Sequence, residues 1–235
     1  MVPIEVAPFE ARQFGLLIKR NGADPQHFRL RKFALADGSG FKVRVVGRGA
    51  ATVYETRDPT GWTSRFAADL DSGLFGAKGR PPPPPGIAEV LAQAEAELAN
   101  HGLAAVLRLL NARVPHRFTA VYRLDQQMLV NVATCDKHMH LEALDLKAVP
   151  LQDSFCQFVL RDGLFLTEES GCDQRLAGHP YAGVVGSYVG VPIARSPGTL
   201  DGTLCHFDLA SHPVADDEYL LLERVASLLP AFLGP

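Results

Sequence analysis

The sequence predicts an α+β protein in two parts: a small three-stranded sheet with one helix, then a larger domain with a central antiparallel sheet. In the larger domain two long helices cover one face of the sheet, and loops and short helices cover the other. Three observations predict this. Short segments bounded by glycine alternate apolar and polar residues, as antiparallel strands do. Amphipathic stretches with helical spacing lie near both ends of the larger part. Five prolines, Pro81 to Pro85, separate the two parts.

The first part, residues 1–78, is predicted to form a small accessory domain. Three consecutive segments alternate in period two and are separated by glycine-rich turns: Phe28–Leu35, Phe41–Val46 and Ala51–Thr56. A helix is expected from Trp62 to Phe75, where apolar residues recur at helical spacing. These elements predict a three-stranded meander packed on one helix.

Residues 79–86 are predicted to be a linker. Consecutive prolines lack amide donors and favour the polyproline II conformation, so this run cannot belong to a sheet or a helix. We expect a short, stiff spacer between residues 1–78 and 87–235.

The second part begins with a long amphipathic helix that runs from Ile87, past Gly102, to about Leu110. The order of elements after it favours a central antiparallel sheet with the long helices on one face. The predicted elements are strands Phe118–Leu124 and Met128–Ala133, a helix at 153–160 with Asp153 or Ser154 as its N-cap, strand Leu164–Thr167, a helical turn at Asp173–Ala177, strands Ser187–Ile193 and Gly202–Asp208 around a turn at Pro197 and Gly198, and a final helix from Asp216 to Leu233.

Composition restricts the class of protein. Hydrophobic residues make up 47% of the chain, which is ordinary for a globular protein, and no apolar run is long enough to span a membrane. The start of the chain lacks a signal peptide pattern, and the four cysteines are widely separated, so we expect a cytoplasmic protein with free thiols. Residues 1–80 carry 13 basic and 8 acidic side chains, whereas residues 81–235 carry 10 and 18.

Four segments of the larger part resemble GAF domains. Residues 118–123 (FTAVYR) resemble the first strand of that family, and residues 149–156 (VPLQDSFC) resemble the segment that opens its pocket helix. Residues 187–193 (SYVGVPI) and 202–208 (GTLCHFD) resemble its last two strands. The resemblance covers about residues 87–234.

The resemblance implies a sheet and a layer of loops that enclose a pocket for an unidentified small molecule, in a sensory, signal-transducing domain. It also implies homodimers that pair through the terminal helices, with output through residues 1–80, a protein partner or rearrangement of the dimer. Aromatic walls with a few polar groups are typical of such pockets. The candidate ligand-binding residues are Phe155, Cys156, Phe158, His179, Tyr181, Tyr188 and Cys205.

A thiol enzyme is the first alternative. Cys156 falls near one cysteine of the GAF-type free methionine sulfoxide reductases, but residues 181–186 (YAGVVG) lack the nucleophilic cysteine of that family. A buried free cysteine is most often an apolar filler. We therefore predict a non-enzymatic protein and assign no catalytic residue.

Other cofactors find little support. Cys205 and His206 are similar to the bilin-holding pair of photoreceptor GAF domains, but adjacent side chains of a strand point to opposite faces, so only one could meet a ligand. The signature of cyclic-nucleotide-binding relatives is absent. Residues 135–140 (CDKHMH) place His138 and His140 on one face of an extended segment, yet no convincing fourth ligand lies nearby. We therefore predict no metal site.

Asp173 and Arg175 have two possible interpretations. They are either part of the mouth of the pocket or a capped helical turn with an exposed arginine.

Nucleic-acid binding is the second alternative. Arg29, Arg31, Lys42 and Arg44 alternate with apolar residues, which predicts a basic face on the small sheet. Such a face could contact DNA. A solvated face, or one docked on the acidic part of the chain, would have the same pattern.

Overall fold

A computed structural model describes residues 2–58, 60–76, 85–138, 147–196 and 199–234. The chain forms two compact units, residues 1–82 and, in the main, residues 83–235. Most of the predicted spacer at 79–86, and the turn at Pro197 and Gly198, lie outside the described residues. In the described part of the chain, no helix is long and apolar enough to cross a membrane.

The N-terminal unit is an antiparallel sheet of four strands with helices. The strands follow the order β1-β2-β3-β4. They are β1 (Val2–Ile4), β2 (Phe28–Ala34), β3 (Phe41–Gly47) and β4 (Ala50–Thr56), and the helices are α1 (Pro8–Arg20) and α2 (Thr63–Asp71). Three strands and one helix were predicted, so the structure adds β1 and α1.

The two added elements have weak sequence patterns. Strand β1 has three residues, too few for an alternation, and it pairs with the far end of β2. Helix α1 buries the polar residues Glu10 and Gln13 on the same side as its apolar residues, which blurs the helical spacing. Helix α2 ends at Asp71 instead of extending to Phe75, because Gly73 takes a φ of +83° just after it.

Aromatic rings fill the core of this unit. Six rings pack with centroids between 5.0 and 6.4 Å apart. They belong to Phe14, Phe28, Tyr54, Trp62, Phe66 and Phe75. Beside them a buried ion pair joins Lys32 Nζ to Glu10 Oε1 at 2.7 Å. Lys32 thus occupies a position on the core side of β2 that the alternation assigns to an apolar residue.

The C-terminal unit contains a six-stranded antiparallel sheet of order β7-β6-β5-β10-β9-β8. Its strands are β5 (Phe118–Asp125), β6 (Met128–Asp136), β7 (Ala148–Pro150), β8 (Phe165–Thr167), β9 (Ser187–Ile193) and β10 (Gly202–Asp208). Its helices are α3 (Pro85–His101), α4 (Leu103–Asn111), α5 (Cys156–Asp162) and α6 (Asp216–Ala226).

The helices and loops lie in two layers on this sheet, as predicted. Helices α4 and α6 pack on strands of one face, and α3 packs on both of them. Helix α5 and the 3₁₀ turns around it cover the other face, where Tyr122, Tyr188 and Cys205 join the core. The α+β class and the central antiparallel sheet are confirmed, and the sheet is consistent with the fold expected from the resemblance.

The boundaries of three helices of this unit differ from the prediction. The first long helix is interrupted at Gly102, whose φ of +75° no helix accommodates. The last helix ends at Ala226, and a separate 3₁₀ turn begins at Pro230, because proline removes the amide that a continuing helix needs. The helix predicted at 153–160 is α5 (Cys156–Asp162), and residues 151–153 form a 3₁₀ turn before it.

Candidate functional site

A cavity of about 220 Å³ lies inside the C-terminal unit, between the sheet and the α5 layer. Its wall is mostly apolar, with a few polar groups. The apolar side chains of the wall are Leu129, Val149, Phe155, Val184, Val185, Phe207 and Leu209. The side chains that carry a polar group are Tyr122, Asp153, Ser154, Cys156, Tyr181, Tyr188 and Cys205. A volume of this size admits a small molecule.

The alternation of three neighbouring strands brings the sheet residues of the wall together. Cys205 lies opposite Ala120 and Gly190 in the register of β10 with β5 and β9. Tyr122 and Tyr188 therefore share a sheet face with Cys205. At Gly190 a Cβ atom would lie 2.8 Å from Cε1 of Tyr188, so the glycine leaves the space that the tyrosine ring occupies.

Cys156 is the most strongly hydrogen-bonded thiol of the site. It begins α5, where its amide donates to Oγ of Ser154 at 3.0 Å. Its Sγ accepts a hydrogen bond from Oγ1 of Thr203 at 3.2 Å and lies 3.2 Å from the Tyr188 hydroxyl. The Cys205 thiol interacts with this sulfur and donates to the Ala120 carbonyl, 3.7 Å from its own Sγ.

These donors favour a thiolate at Cys156. Interaction with the Cys205 side chain, helped by Ser154, Thr203 and Tyr188 and opposed by burial, lowers the pKa of Cys156 to about 6. The same contact and burial raise the pKa of Cys205 well above that of a free thiol. Of the two cysteines, Cys156 is therefore the one whose surroundings favour the thiolate.

Five of the seven predicted pocket residues line the cavity: Phe155, Cys156, Tyr181, Tyr188 and Cys205. The other two lie behind the wall. The His179 ring packs on Phe155 and Phe158, with centroids 4.8 and 5.8 Å away. Burial lowers the pKa of His179, which favours the neutral ring.

Several residues of the cavity wall, and Thr203 beside it, were not predicted. Thr203 lies two residues before Cys205 on β10, and Tyr122 lies two residues after Ala120 on β5. Alternation alone could have placed both on the pocket face. No comparable signal exists for Val184, Val185 and Leu209, because these residues lie outside the helices and strands.

Asp173 and Arg175 form a structural pair and do not line the cavity. Asp173 accepts a hydrogen bond from the Arg175 amide, as the capped-turn interpretation requires. The guanidinium was expected to be exposed, but its side chain is only 9% exposed, with Nη2 2.6 Å from Asp173 Oδ2 and the group above the Phe165 ring. The aromatic ring and the carboxylate together bury the arginine.

The residues considered for a bilin or a metal do not form a common site in the part of the chain that the structure describes. His206 points away from the cavity, with its Nδ1 2.7 Å from Oγ1 of Thr119 on the helix-covered face, while Cys205 faces the cavity. The Cys135 thiol is 3.7 Å from Oδ1 of Asn111. His140 lies outside the described residues, and within them no group of three potential ligands could hold a metal ion.

The four basic residues of the N-terminal unit share one face of its sheet. The register places Arg31 opposite Arg44 and Lys42 opposite Phe33, with Arg29 two residues before Arg31. Lys42 Nζ pairs with Glu55 at 2.6 Å, and Arg29 donates to backbone carbonyls. Arg31 and Arg44 are exposed and have no ion pair or hydrogen bond within the described residues.

Comparisons with known proteins give structural matches only. No family model and no curated protein matches this chain. The GAF domain of an Acinetobacter phosphoenolpyruvate-protein phosphotransferase matches with a TM-score of 0.53 and 16% identity, over 64% of this chain and 93% of that one. The GAF domain of the Coxiella burnetii phosphotransferase matches with a TM-score of 0.51 and 19% identity, over 62% and 90% of the two chains.

A third match is an enzyme of the same fold. Free methionine-R-sulfoxide reductase from Neisseria meningitidis, solved with its substrate, matches with a TM-score of 0.51 and 18% identity, over 63% of this chain and 87% of that one. At these identities the matches establish the fold and leave the activity open. The C-terminal unit, in which four sequence segments resemble GAF domains, has the GAF fold.

Proposed function

We propose that the C-terminal unit is a sensor domain that binds a small, largely apolar molecule in the cavity between its sheet and α5. The observation that carries this proposal is the cavity itself: about 220 Å³, walled by apolar and aromatic side chains, with Cys156, Tyr181 and Tyr188 as polar groups. A filled core would have left no such space, since protein interiors are normally close-packed.

The proposed mechanism is a population shift in a cytoplasmic, non-enzymatic homodimer. A ligand that binds better when α5 and the 181–185 segment close over it would favour the closed state. Helices α3 and α6 lie on the opposite face of the sheet, and we propose that they pair between subunits and transmit the change to a protein partner.

Native mass spectrometry of freshly purified protein tests the proposal, because it reports the subunit count and any retained small molecule. Screening of small apolar fragments by thermal shift should then find compounds that raise the unfolding temperature, since a ligand that binds only the folded state stabilises it. Val185→Trp, which fills the cavity, should abolish these shifts. Val53→Trp, on the exposed sheet face of the other unit, is the matched control. A fragment that stabilises the Val185→Trp variant as strongly as the natural protein would contradict the proposal.

A thiol reductase is the alternative that the Cys156 environment supports. Cys156 lies in the cavity with donors that favour its thiolate, and a reductase shares the fold. Against this, residues 181–186 over the cavity contain no cysteine. Turnover of free methionine sulfoxide with a thiol reductant, lost in Cys156→Ser, would establish this alternative.

Binding of nucleic acid by the N-terminal unit is supported by one observation, the exposed Arg31 and Arg44 directly across from each other. Like charges in such positions destabilise a sheet unless an anion lies between them. Fluorescence anisotropy with random duplex DNA should show binding that weakens steeply with salt and is reduced in the Arg31→Ala/Arg44→Ala variant. Arg12→Ala, on a helix of the same unit, is the control.

A further inference from the structure

The wall of the cavity contains two thiols whose side chains interact. Cys156 comes from α5 and Cys205 from β10, where the Cys205 thiol donates to the Ala120 carbonyl at 3.7 Å. Thr203, on the same strand face as Cys205, donates to the Cys156 sulfur at 3.2 Å, and the Tyr188 hydroxyl lies 3.2 Å from that sulfur. These hydroxyl groups favour a nucleophilic thiolate at Cys156, and Cys205 lies where it can react with whatever forms on it.

The wall of the cavity controls what reaches these sulfurs. Cys156 is 3% exposed and Cys205 is 1% exposed, and both line the cavity. Phe155, Val184 and Leu209 belong to the same wall. A reactant must therefore enter an apolar space, which favours molecules with an apolar body over small polar ones.

We propose that Cys156 and Cys205 form a dithiol that reduces a small organic hydroperoxide bound in this cavity and becomes a disulfide. The proposal rests on the proposed binding function of the same cavity and names the class of its ligand. A bond between α5 and β10 would then fix the layer that covers the cavity to the sheet beneath it.

The chemistry balances with the hydroperoxide as the only oxidant. The Cys156 thiolate attacks the terminal oxygen of the O–O bond, so an S–O bond forms, the O–O bond breaks, and the alkoxide leaves and is protonated to the alcohol. The Cys205 sulfur then attacks the Cys156 sulfenic acid, so the S–S bond forms and water leaves. Two thiols are oxidised, one peroxide is reduced by two electrons, and the two thiol protons end in the alcohol and the water.

The test uses the full chain with Cys135→Ser and Cys172→Ser, which removes the half-buried and the exposed thiol outside the cavity. The reduced protein is treated with tert-butyl hydroperoxide or, in parallel, with hydrogen peroxide, and its intact mass is followed with time. We expect loss of the mass of two hydrogen atoms, reversed by a reductant, at a rate at least about tenfold higher with the organic peroxide.

Single variants on the same background define the order of steps. Cys205→Ser should stop at a sulfenic acid on Cys156, which dimedone traps, whereas Cys156→Ser should give no dimedone adduct and no disulfide. Circular dichroism verifies that both variants are folded. The proposal is overturned if the folded parent protein forms no intramolecular disulfide, if hydrogen peroxide reacts as fast as the organic peroxide, or if dimedone labels Cys205 first.

The outcome is separable from that of the sensor proposal. A retained or stabilising ligand with unreactive cysteines would overturn the peroxide chemistry alone. Rapid disulfide formation without any reversible ligand would overturn the reversible sensor and leave the dithiol in place.

Discussion

The hydroxyl of Tyr188 lies 3.2 Å from Sγ of Cys156, inside the cavity of the C-terminal unit. The two residues come from β9 and α5, so the contact links the sheet to the layer that covers it. Burial and the adjacent sulfur raise the pKa of Tyr188 well above its usual range, which keeps the phenol protonated and able to donate to a thiolate.

Tyr188→Phe should make Cys156 a weaker acid. Loss of one hydrogen bond to a charged sulfur is expected to raise the pKa of Cys156 by about one unit. Alkylation of the Cys135→Ser/Cys172→Ser protein by iodoacetamide, followed by intact mass across pH 5 to about 9, measures this shift. The rate near neutral pH should fall several-fold. Tyr181→Phe, which changes a tyrosine of the same cavity that is 39% exposed, is the control, and an equal effect of both variants would contradict the role of Tyr188.

Gly190→Ala should displace the Tyr188 ring. The added Cβ would lie 2.8 Å from ring atoms Cε1 and Cζ, closer than van der Waals contact allows. We expect the same slower alkylation of Cys156 as in Tyr188→Phe, together with a loss of stability of about 1–3 kcal/mol from overpacking. Urea unfolding and the alkylation profile measure the two effects. Gly86→Ala, where an added Cβ meets open space, is the control. Unchanged alkylation in a Gly190→Ala protein would show that the ring is free to stay in place.

Acid should destabilise the C-terminal unit through two buried histidines. Both nitrogens of His116 and Nε2 of His206 lack a hydrogen-bond partner within the described residues. Burial, followed by the charge of neighbouring His212, lowers the pKa of His116 to about 4, and burial lowers that of His206 to about 3. In the unfolded chain both return to about 6.5. The unfolded state therefore binds more protons below that pH, and the free energy of unfolding should fall as the pH drops from about 6.5 towards 4, by about 2–3 kcal/mol for each histidine.

Urea titrations at several pH values between 4.5 and 7.5 measure this dependence. In the His116→Leu variant the free energy of unfolding should depend less on pH, because the variant has no proton to gain at this position on unfolding. Leu200→Ala, which changes an exposed residue of the same unit that does not titrate, should leave the pH dependence as it is. A His116→Leu protein that loses stability in acid as steeply as the natural one would show that other groups cause the effect.

Lys32→Met should strongly destabilise the N-terminal unit. It removes the partner of Glu10, whose side chain is 2% exposed, and leaves a buried carboxylate without its counter-ion. The expected loss is about 3–5 kcal/mol. Trp62 is the single tryptophan of the chain and lies in this core, so its fluorescence reports the unfolding of this unit.

Lys42→Met is the matched control for the ion pair. Lys42 and Glu55 lie on the solvent face of the same sheet, with side chains 32% and 63% exposed, so the loss should stay below about 1 kcal/mol. The double variant Glu10→Leu/Lys32→Met should recover most of the stability that Lys32→Met loses, since no buried charge remains. Equal costs for the two lysine variants would contradict the role assigned to burial.

The sequence by itself determined those strands whose residues show a clear local pattern of apolar and polar side chains. Strands β9 and β10 coincide with the predicted segments 187–193 and 202–208, because each is a run of buried residues. Period-two alternation also sufficed to separate Cys205 from His206 and to place four basic residues on one sheet face. These are local properties, since the direction of a side chain in a strand follows from its position in the chain.

Only the tertiary structure decided which distant residues meet. Lys32 is buried because Glu10 of a separate helix neutralises it, and β1 exists because β2 offers an edge with which three residues can pair. The meeting of Cys156 and Cys205 in one cavity wall likewise depends on how α5 packs over β10. Burial, hydrogen bonding and pKa depend on neighbours from elsewhere in the chain, which no local pattern specifies.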